Sequence, residues 1–170
     1  TFSTMGGIEK VCRIAGKVFD EVSRENSGEF RLYSMHDHPD ASTVPYLTKK
    51  QLKAFGGNRS KFVLQSILKG TRSKVVILSH VHLAPIGVWI KRFSPKTKVV
   101  LLAHGIEVWK TLRPNQKQIF EKADLVVAVS EFTRKKLESG YDIKKNMVIN
   151  NCLDPFLPDP VTERRIIREK

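Results

Sequence analysis

The sequence predicts an α/β protein, a parallel β-sheet with helices on both faces. Three observations carry this. Short runs of consecutive apolar, largely β-branched residues recur along the chain, as they do in strands covered on both sides. Between them lie segments whose apolar residues repeat at three- and four-residue steps, the period of an amphipathic helix. The two kinds alternate strictly, and in 170 residues, the size of one ordinary domain, that alternation produces layers around a parallel sheet.

In chain order, Ile8, Val11, Cys12, Ala15, Val18, Phe19 and Val22 mark one face of a helix over 7–24. Residues 30–35 read as a strand, and 59–69 as a helix with Phe62, Val63, Ile67 and Leu68 on its apolar side. The Val-Val-Ile-Leu run within 74–79 is a buried strand, 83–93 a short helix and 98–103 a strand. Pro114 suits the first turn of a helix over 114–123, and 124–129 is another buried strand. Ser130 is a good N-cap for a helix that stops at Gly140, and 146–150 is a last strand. Two stretches fit no regular element. Residues 36–57 form a long connection with Pro39, Pro45 and Gly56-Gly57, of a length that usually serves function. Residues 154–170 hold Pro155, Pro158 and Pro160 and then a charged stretch, and read as a linker.

Composition bounds the function. A hydrophobic fraction of 41% with 28% charged residues belongs to a folded chain and not to a disordered tail. The longest apolar runs, 99–103 and 125–129, are far short of the ~20 residues of a membrane-spanning helix. Residues 1–7 lack the basic-then-apolar order of a secretion signal. Cys12 and Cys152 have no finger or CxxC spacing and read as reduced thiols of a cytoplasmic protein. The formal charge of +13 suits nucleic acid, an anionic membrane surface or a phosphorylated ligand.

The chemistry-bearing residues gather at strand ends. His36 and His38 follow the first predicted strand, His80 and His82 the next, and His104 the one after. In an open parallel sheet, ligands bind beyond the carboxyl ends of the strands. His80 and His82 share a face and could chelate a metal with His104 or Asp37 as third ligand, although no spacing demands it; a metal-dependent enzyme built on the histidines is a third reading. Gly6-Gly7 before the first helix lets backbone approach a ligand, with free N–H groups aimed at an anion; a tight turn reads the same way. Glu9 complements the helix dipole there. Ser130 lacks the surroundings of a nucleophile and reads as a cap. Residues 44–55 mix Tyr46, Leu47, Leu52 and Phe55 with Lys49, Lys50 and Lys53, a composition that suits an anionic membrane surface or a helix packed on its own domain. Trp89, Lys91, Arg92 and Phe93 form a second such cluster.

These landmarks follow an order: Gly-Gly-Ile-Glu at 6–9, His80 and His82, Ala-His-Gly-Ile-Glu-Val-Trp at 103–109, Ala-Val-Ser at 128–130, and Val-Ile-Asn-Asn-Cys-Leu-Asp at 148–154. Taken together they resemble the Rossmann-like N-terminal domain of the GT-B glycosyltransferases of family 4, which transfer sugars from nucleotide-sugar donors with retention. The resemblance implies that residues 1–153 form the acceptor-side domain and that 154–170 lead to a donor-binding domain. It implies that Gly6 and Gly7 lie near the donor diphosphate and that His104 lines the cleft beside the transferred sugar. His80, His82 and Glu107 would line the acceptor cleft, and Lys49, Lys50 and Lys53 would meet an anionic or lipid-linked acceptor at the inner face of a membrane. No metal or other cofactor is implied. Asn151 and Asp154 match the family's segment after the last strand, with Cys152 in place of its usual glycine. Glu21 and Glu29 have the spacing of the family's paired glutamates but fall in the wrong domain.

Two further expectations complete the reading. A glycine loop feeding a helix normally follows a central strand, and residues 1–5 are too short for one, so an apolar strand upstream of Thr1 is expected, with an open slot in the sheet where it is missing. A basic nucleic-acid-binding module is the alternative function, although no helix-turn-helix, RRM, KH or zinc-finger signature supports it.

Overall fold

The computed structural model describes residues 6–38, 46–48 and 50–152. Residues 1–5, Lys49, Asp154 and the tail to residue 170 lie outside them, so the expectations for an upstream strand, for Lys49 and for a linker fall beyond the described residues.

Helix α1 (Gly7–Glu25) opens the described chain. It turns Ile8 and Cys12 toward Leu32, Leu47 and Leu52 in a small apolar cluster. Strand β1 (Leu32–Ser34) pairs in parallel with β2 (Leu52–Ala54), Leu32 opposite Leu52. Helix α2 (Arg59–Gly70) starts at Asn58, whose side chain accepts from the Lys61 N–H at 3.0 Å. Strand β3 (Val75–Leu78) leads into a 3-10 turn (Val81–Leu83) and helix α3 (Ala84–Phe93). Strand β4 (Lys98–Ala103), the one-turn helix α4 (Ile106–Trp109) and helix α5 (Pro114–Lys122) follow. Strand β5 (Leu125–Ala128), helix α6 (Glu131–Gly140) and strand β6 (Asn146–Val148) complete the order. Ser130 caps α6 by accepting from the Thr133 N–H at 3.2 Å, the role its sequence context gave it.

The strands form two parallel sheets, β1-β2 and β3-β4-β5-β6. The fold is α/β and Rossmann-like, as expected, but among the described strands the sheet is split between β1 and β3. The two sheets share one core. Tyr33 and Phe55 meet at 5.6 Å, Phe55 and Phe62 edge-on at 5.4 Å, and all three join the cluster around Leu78 and Leu101. Two elements depart from the sequence reading. Strand β2 lies inside the connection assigned to no element, because three residues with a lysine at the centre leave little periodic signal. The single turn of α4 is likewise too short to show one.

Helices α2, α3 and α5 form a layer, with α3 packed between the other two. Its approach to the sheet is set by Gly87: a Cβ there would stand 2.6 Å from Leu78 Cδ1 and 2.8 Å from Ile119 Cδ1. Close packing at that contact admits no methyl without displacing both neighbours. Strand β4 buries Val99, Leu101 and Ala103 completely on this side, while Val100 and Leu102 opposite remain half-buried.

Asp124 ties the amino ends of the strands together. Its carboxylate accepts from the Val99 N–H at 2.9 Å, from Lys91 Nζ at 2.9 Å and from Lys98 Nζ at 3.1 Å. Burial alone would raise this carboxyl, but these donors outweigh it and hold it at about 2. A carboxyl depressed in the folded state stabilises the fold above its unfolded value near 3.8, and that contribution is lost as pH falls toward 2. Asp124→Asn is therefore expected to cost about 1–2 kcal/mol at neutral pH after solvent screening, with the difference from the parent closing between pH 4 and pH 2 in paired denaturant titrations.

Candidate active site at the carboxyl edge of the sheet

In-register parallel pairing puts Leu78 of β3 opposite Leu101 of β4, so the residues that follow each strand emerge on the same edge. Ser79 and His80 come from β3, and His104 from β4. The His104 Nε2 lies 2.9 Å from the Ser79 carbonyl oxygen. A carbonyl only accepts, so Nε2 carries the proton and donates it there. In the neutral ring this leaves Nδ1 as an acceptor, and that atom is buried with no partner among the described residues.

The next residues fold back on His104. Gly105 has φ 134° and ψ −103°, a conformation open to glycine and hostile to side chains. This reversal brings Glu107 round so that its Oε1 accepts the His104 backbone N–H at 2.5 Å. The other carboxylate oxygen, Oε2, is buried without a partner among the described residues. Two buried acceptors on one short loop thus lack donors among the described residues. Such groups cost about 1–3 kcal/mol each unless something else satisfies them.

His80 and His82 stack at 4.6 Å with their rings 13° apart. His80 Nδ1 accepts the His82 N–H at 3.1 Å, and Gln116 of α5 stands 3.4 Å from His82 Nδ1. Burial pushes the His80 imidazole below its ordinary value, and the like charges of His82 and His104 push the same way, against a partial pull from Glu107 and Glu9. The groups that act on His80 therefore come from three places: its own turn, the β4–α4 loop and the first turn of α1.

That first turn completes the edge. Gly6 caps α1 with no side-chain bond. A Cβ on Gly7 would meet nothing within 4 Å, so its backbone borders open space. A Cβ on Gly6 would collide with the carboxylate of Glu9, which folds back over the helix start. One turn further on, Cys12 Sγ lies 4.0 Å from His104 Nε2. Burial raises this thiol to about 11, only partly offset by its bond to Ser79, so it is a neutral packing group and no nucleophile.

The structure thus gathers His80, His82, His104, Glu107 and the Gly6-Gly7 loop at one edge. Glu9, Cys12, Ser79 and Gln116 join them as neighbours that sequence reading assigned no part in the site. Of these, only Glu9 had a visible signal, its place in the first turn after two glycines. His36 and His38 are exposed on the loop after β1. Among the described residues no group of three or more His, Cys, Asp or Glu is arranged to hold a metal ion. Of the two readings of residues 44–55, packing on the domain itself is the one the described residues follow, as strand β2 and its flanks and not as a helix. Leu47 and Leu52 face Cys12, and Phe55 is in the core, so the apolar residues beside exposed Lys50 and Lys53 are spent inside the domain. Glu21 pairs with Lys17 and Glu29 with Arg31, both on the surface and away from the carboxyl edge.

A Rossmann-like domain that gathers polar side chains beyond the carboxyl ends of its strands has them where open α/β sheets bind ligands. Residues 20–155 match the family described as Glycosyltransferase Family 4, and the chain belongs to it as an N-terminal GT-B domain. Comparison with curated proteins and with solved structures gives no match.

Gly105 is the test of this loop. Besides the strained φ, a Cβ there would press on Trp109 Cζ2 at 3.1 Å. Gly105→Ala is expected to destabilise the fold by about 1–3 kcal/mol, read by chemical denaturation. It should also release the Glu107 contact, seen as faster amide exchange at His104.

Proposed function

We propose that this chain is the acceptor-side half of a retaining glycosyltransferase, acting on a nucleotide-sugar donor and a glycan or lipid-linked acceptor without a metal. The observation that supports this reading is the pair of buried, unpartnered acceptors, His104 Nδ1 and Glu107 Oε2. A sugar ring presents hydroxyl donors at close spacing, and two such hydroxyls satisfy both atoms. The donor's diphosphate approaches along the open side of Gly7, where the positive end of α1 favours an anion. In the reaction the bond from the sugar C1 to the diphosphate oxygen breaks, and the nucleoside diphosphate leaves with the electron pair. The acceptor hydroxyl oxygen bonds C1 and gives up its proton. In this division His104 and Glu107 hold the transferred sugar, and the His80-His82 stack borders the acceptor. Glu9 must swing away from Gly6 before an anion can settle there.

The experiment pairs this chain with its donor-binding half and measures sugar transfer. Glu107→Gln, which replaces one acceptor oxygen by a donor, and His104→Ala are each expected to lower turnover ten- to hundredfold with little loss of stability. Glu9→Gln is expected to lower the donor KM by removing a competing carboxylate. Loss of melting temperature with normal turnover in the first two variants overturns the assignment.

The same reading predicts that the 170-residue chain alone transfers no sugar, because closure of two domains excludes water and assembles the site. A radiolabelled donor assay with the purified chain checks this; product formed by it would refute the division of labour.

A further inference from the structure

Hydrogen bonds fix the tautomers of two neighbouring imidazoles. Val81 is fully buried and anchors the 3-10 turn after β3, with half-buried His80 before it and exposed His82 after it. The two rings stack at 4.6 Å, 13° from parallel. His80 Nδ1 lies 3.1 Å from the His82 backbone nitrogen. A backbone N–H only donates, so this Nδ1 accepts, and in the neutral ring the proton is on Nε2. Burial, which pushes the His80 imidazole below its ordinary value, keeps the ring in that neutral form.

His82 is fixed from a different element. Gln116 of α5 is buried, and its Oε1 accepts the Arg113 backbone N–H at 3.0 Å. That bond orients the amide: the oxygen faces Arg113, and the NH2 end is the one 3.4 Å from His82 Nδ1. An amide NH2 only donates, so His82 Nδ1 accepts, and in its neutral ring too the proton is on Nε2. Neither Nε2 has a partner among the described residues. The stack therefore offers two N–H donors, with both acceptor nitrogens already occupied. The neighbouring loop is the reverse, since His104 Nδ1 and Glu107 Oε2 are acceptors. One carboxyl edge thus carries a donor part and an acceptor part side by side.

We infer that His80 and His82 bind an oxyanion, the carboxylate or phosphate of an acidic sugar, and that the acceptor carries this group. That the group belongs to the acceptor rests on the function proposed above; that it is an oxyanion rests on the two tautomers. A sugar hydroxyl can accept from one ring, but it brings a proton that finds no free acceptor on the stack. A carboxylate or phosphate offers two or three acceptor oxygens, enough for both donors. Hydrogen bonds to an ionised acceptor are also about twice as strong as those to a neutral one. The formal charge of +13 favours an anion across the whole surface. The carboxylates of Glu107 and Glu9 oppose it, but both are engaged, Glu107 by the His104 N–H and Glu9 over the start of α1. Gln116 then has a part in specificity without touching the ligand, because it turns the donor nitrogen of His82 outward.

Imidazole nitrogen NMR of the complete chain tests both steps. At neutral pH and without added ligand, His80 and His82 are each expected as the Nε2–H tautomer, and Gln116→Leu should turn His82 into a mixture of the two. Sodium glucuronate and glucose 6-phosphate are then titrated beside glucose. At least one acid should move the His80 and His82 nitrogens with an affinity about tenfold or more above that of glucose, and the tighter of the two identifies the group as carboxylate or phosphate. His80→Phe and His82→Phe keep a stacked ring and lose the donor. Each should weaken the bound acid about tenfold with little change in melting temperature. An Nδ1–H tautomer at either ring, no preference for an acid over glucose, or full binding by both Phe variants overturns the inference. So does uridine diphosphate that binds about tenfold tighter than either acid and loses that advantage in both Phe variants, since the pair would then serve the leaving diphosphate. None of these measurements uses sugar transfer. A failure of the proposed function shows in the transfer assay with His104→Ala and Glu107→Gln, and is read separately from a failure here.

Discussion

The parallel register between β3 and β4 is the constraint on which the site depends. Because Leu78 stands opposite Leu101, the Ser79 carbonyl reaches the His104 ring, and that one hydrogen bond decides which ring nitrogen faces the cleft. A slip of one residue would turn Ser79 to the other face and remove the bond. Gly87 protects the register from the helix side, since only a residue without a side chain lets α3 lie close enough to lock Leu78 and Val99. Asp124 protects it from the amino end by joining the start of β5 to the backbone of β4. Packing remote from the chemistry thus sets the tautomer of a histidine.

The long regular elements were legible in the sequence because each carried its own period. Strand β4 was read to the residue, and α1, α2, α3, α5 and α6 to within one or two. What escaped was short or non-local. Strand β2 is three residues whose pairing with β1 is tertiary. Helix α4 is a single turn produced by the backbone reversal at Gly105. The split between the two sheets is a matter of which strands lie side by side, which no local pattern encodes.

The site was legible in part for the same reason. A histidine after a buried strand can be placed on the carboxyl edge from the fold alone, and His80, His82 and His104 lie there. The partners that tune them are not visible in this way. Cys12 reads as an ordinary member of an apolar helix face, and only the crossing of α1 over the strand ends sets it 4.0 Å from His104. Residues 44–55 left two readings open, a membrane-facing surface or packing on the domain itself. A mixture of lysines with leucines and aromatics looks amphipathic in any conformation, but here Leu47, Leu52 and Phe55 turn inward while Lys50 and Lys53 stay outside. Trp89 and Phe93 share that composition and differ in outcome, because four residues on a helix return to the same face and both rings stay outside.

Glu9 shows how charge is balanced at the carboxyl edge of the sheet. Gly6 and Gly7 start a nineteen-residue helix, whose amino end carries partial positive charge. That helix end attracts a nearby carboxylate, and Glu9 folds over Gly6. The same carboxylate acts on His80, partly offsetting the burial that keeps that ring neutral. Displacing Glu9 would therefore do two things at once: open the helix end and remove one negative charge from the surroundings of His80. Under the proposed function an incoming diphosphate more than replaces that single charge, at a different place on the edge. Among the described residues Glu9 has no salt bridge to break, so under the proposed function this exchange gives up a dipole interaction of about 0.3–1 kcal/mol, which the diphosphate would regain.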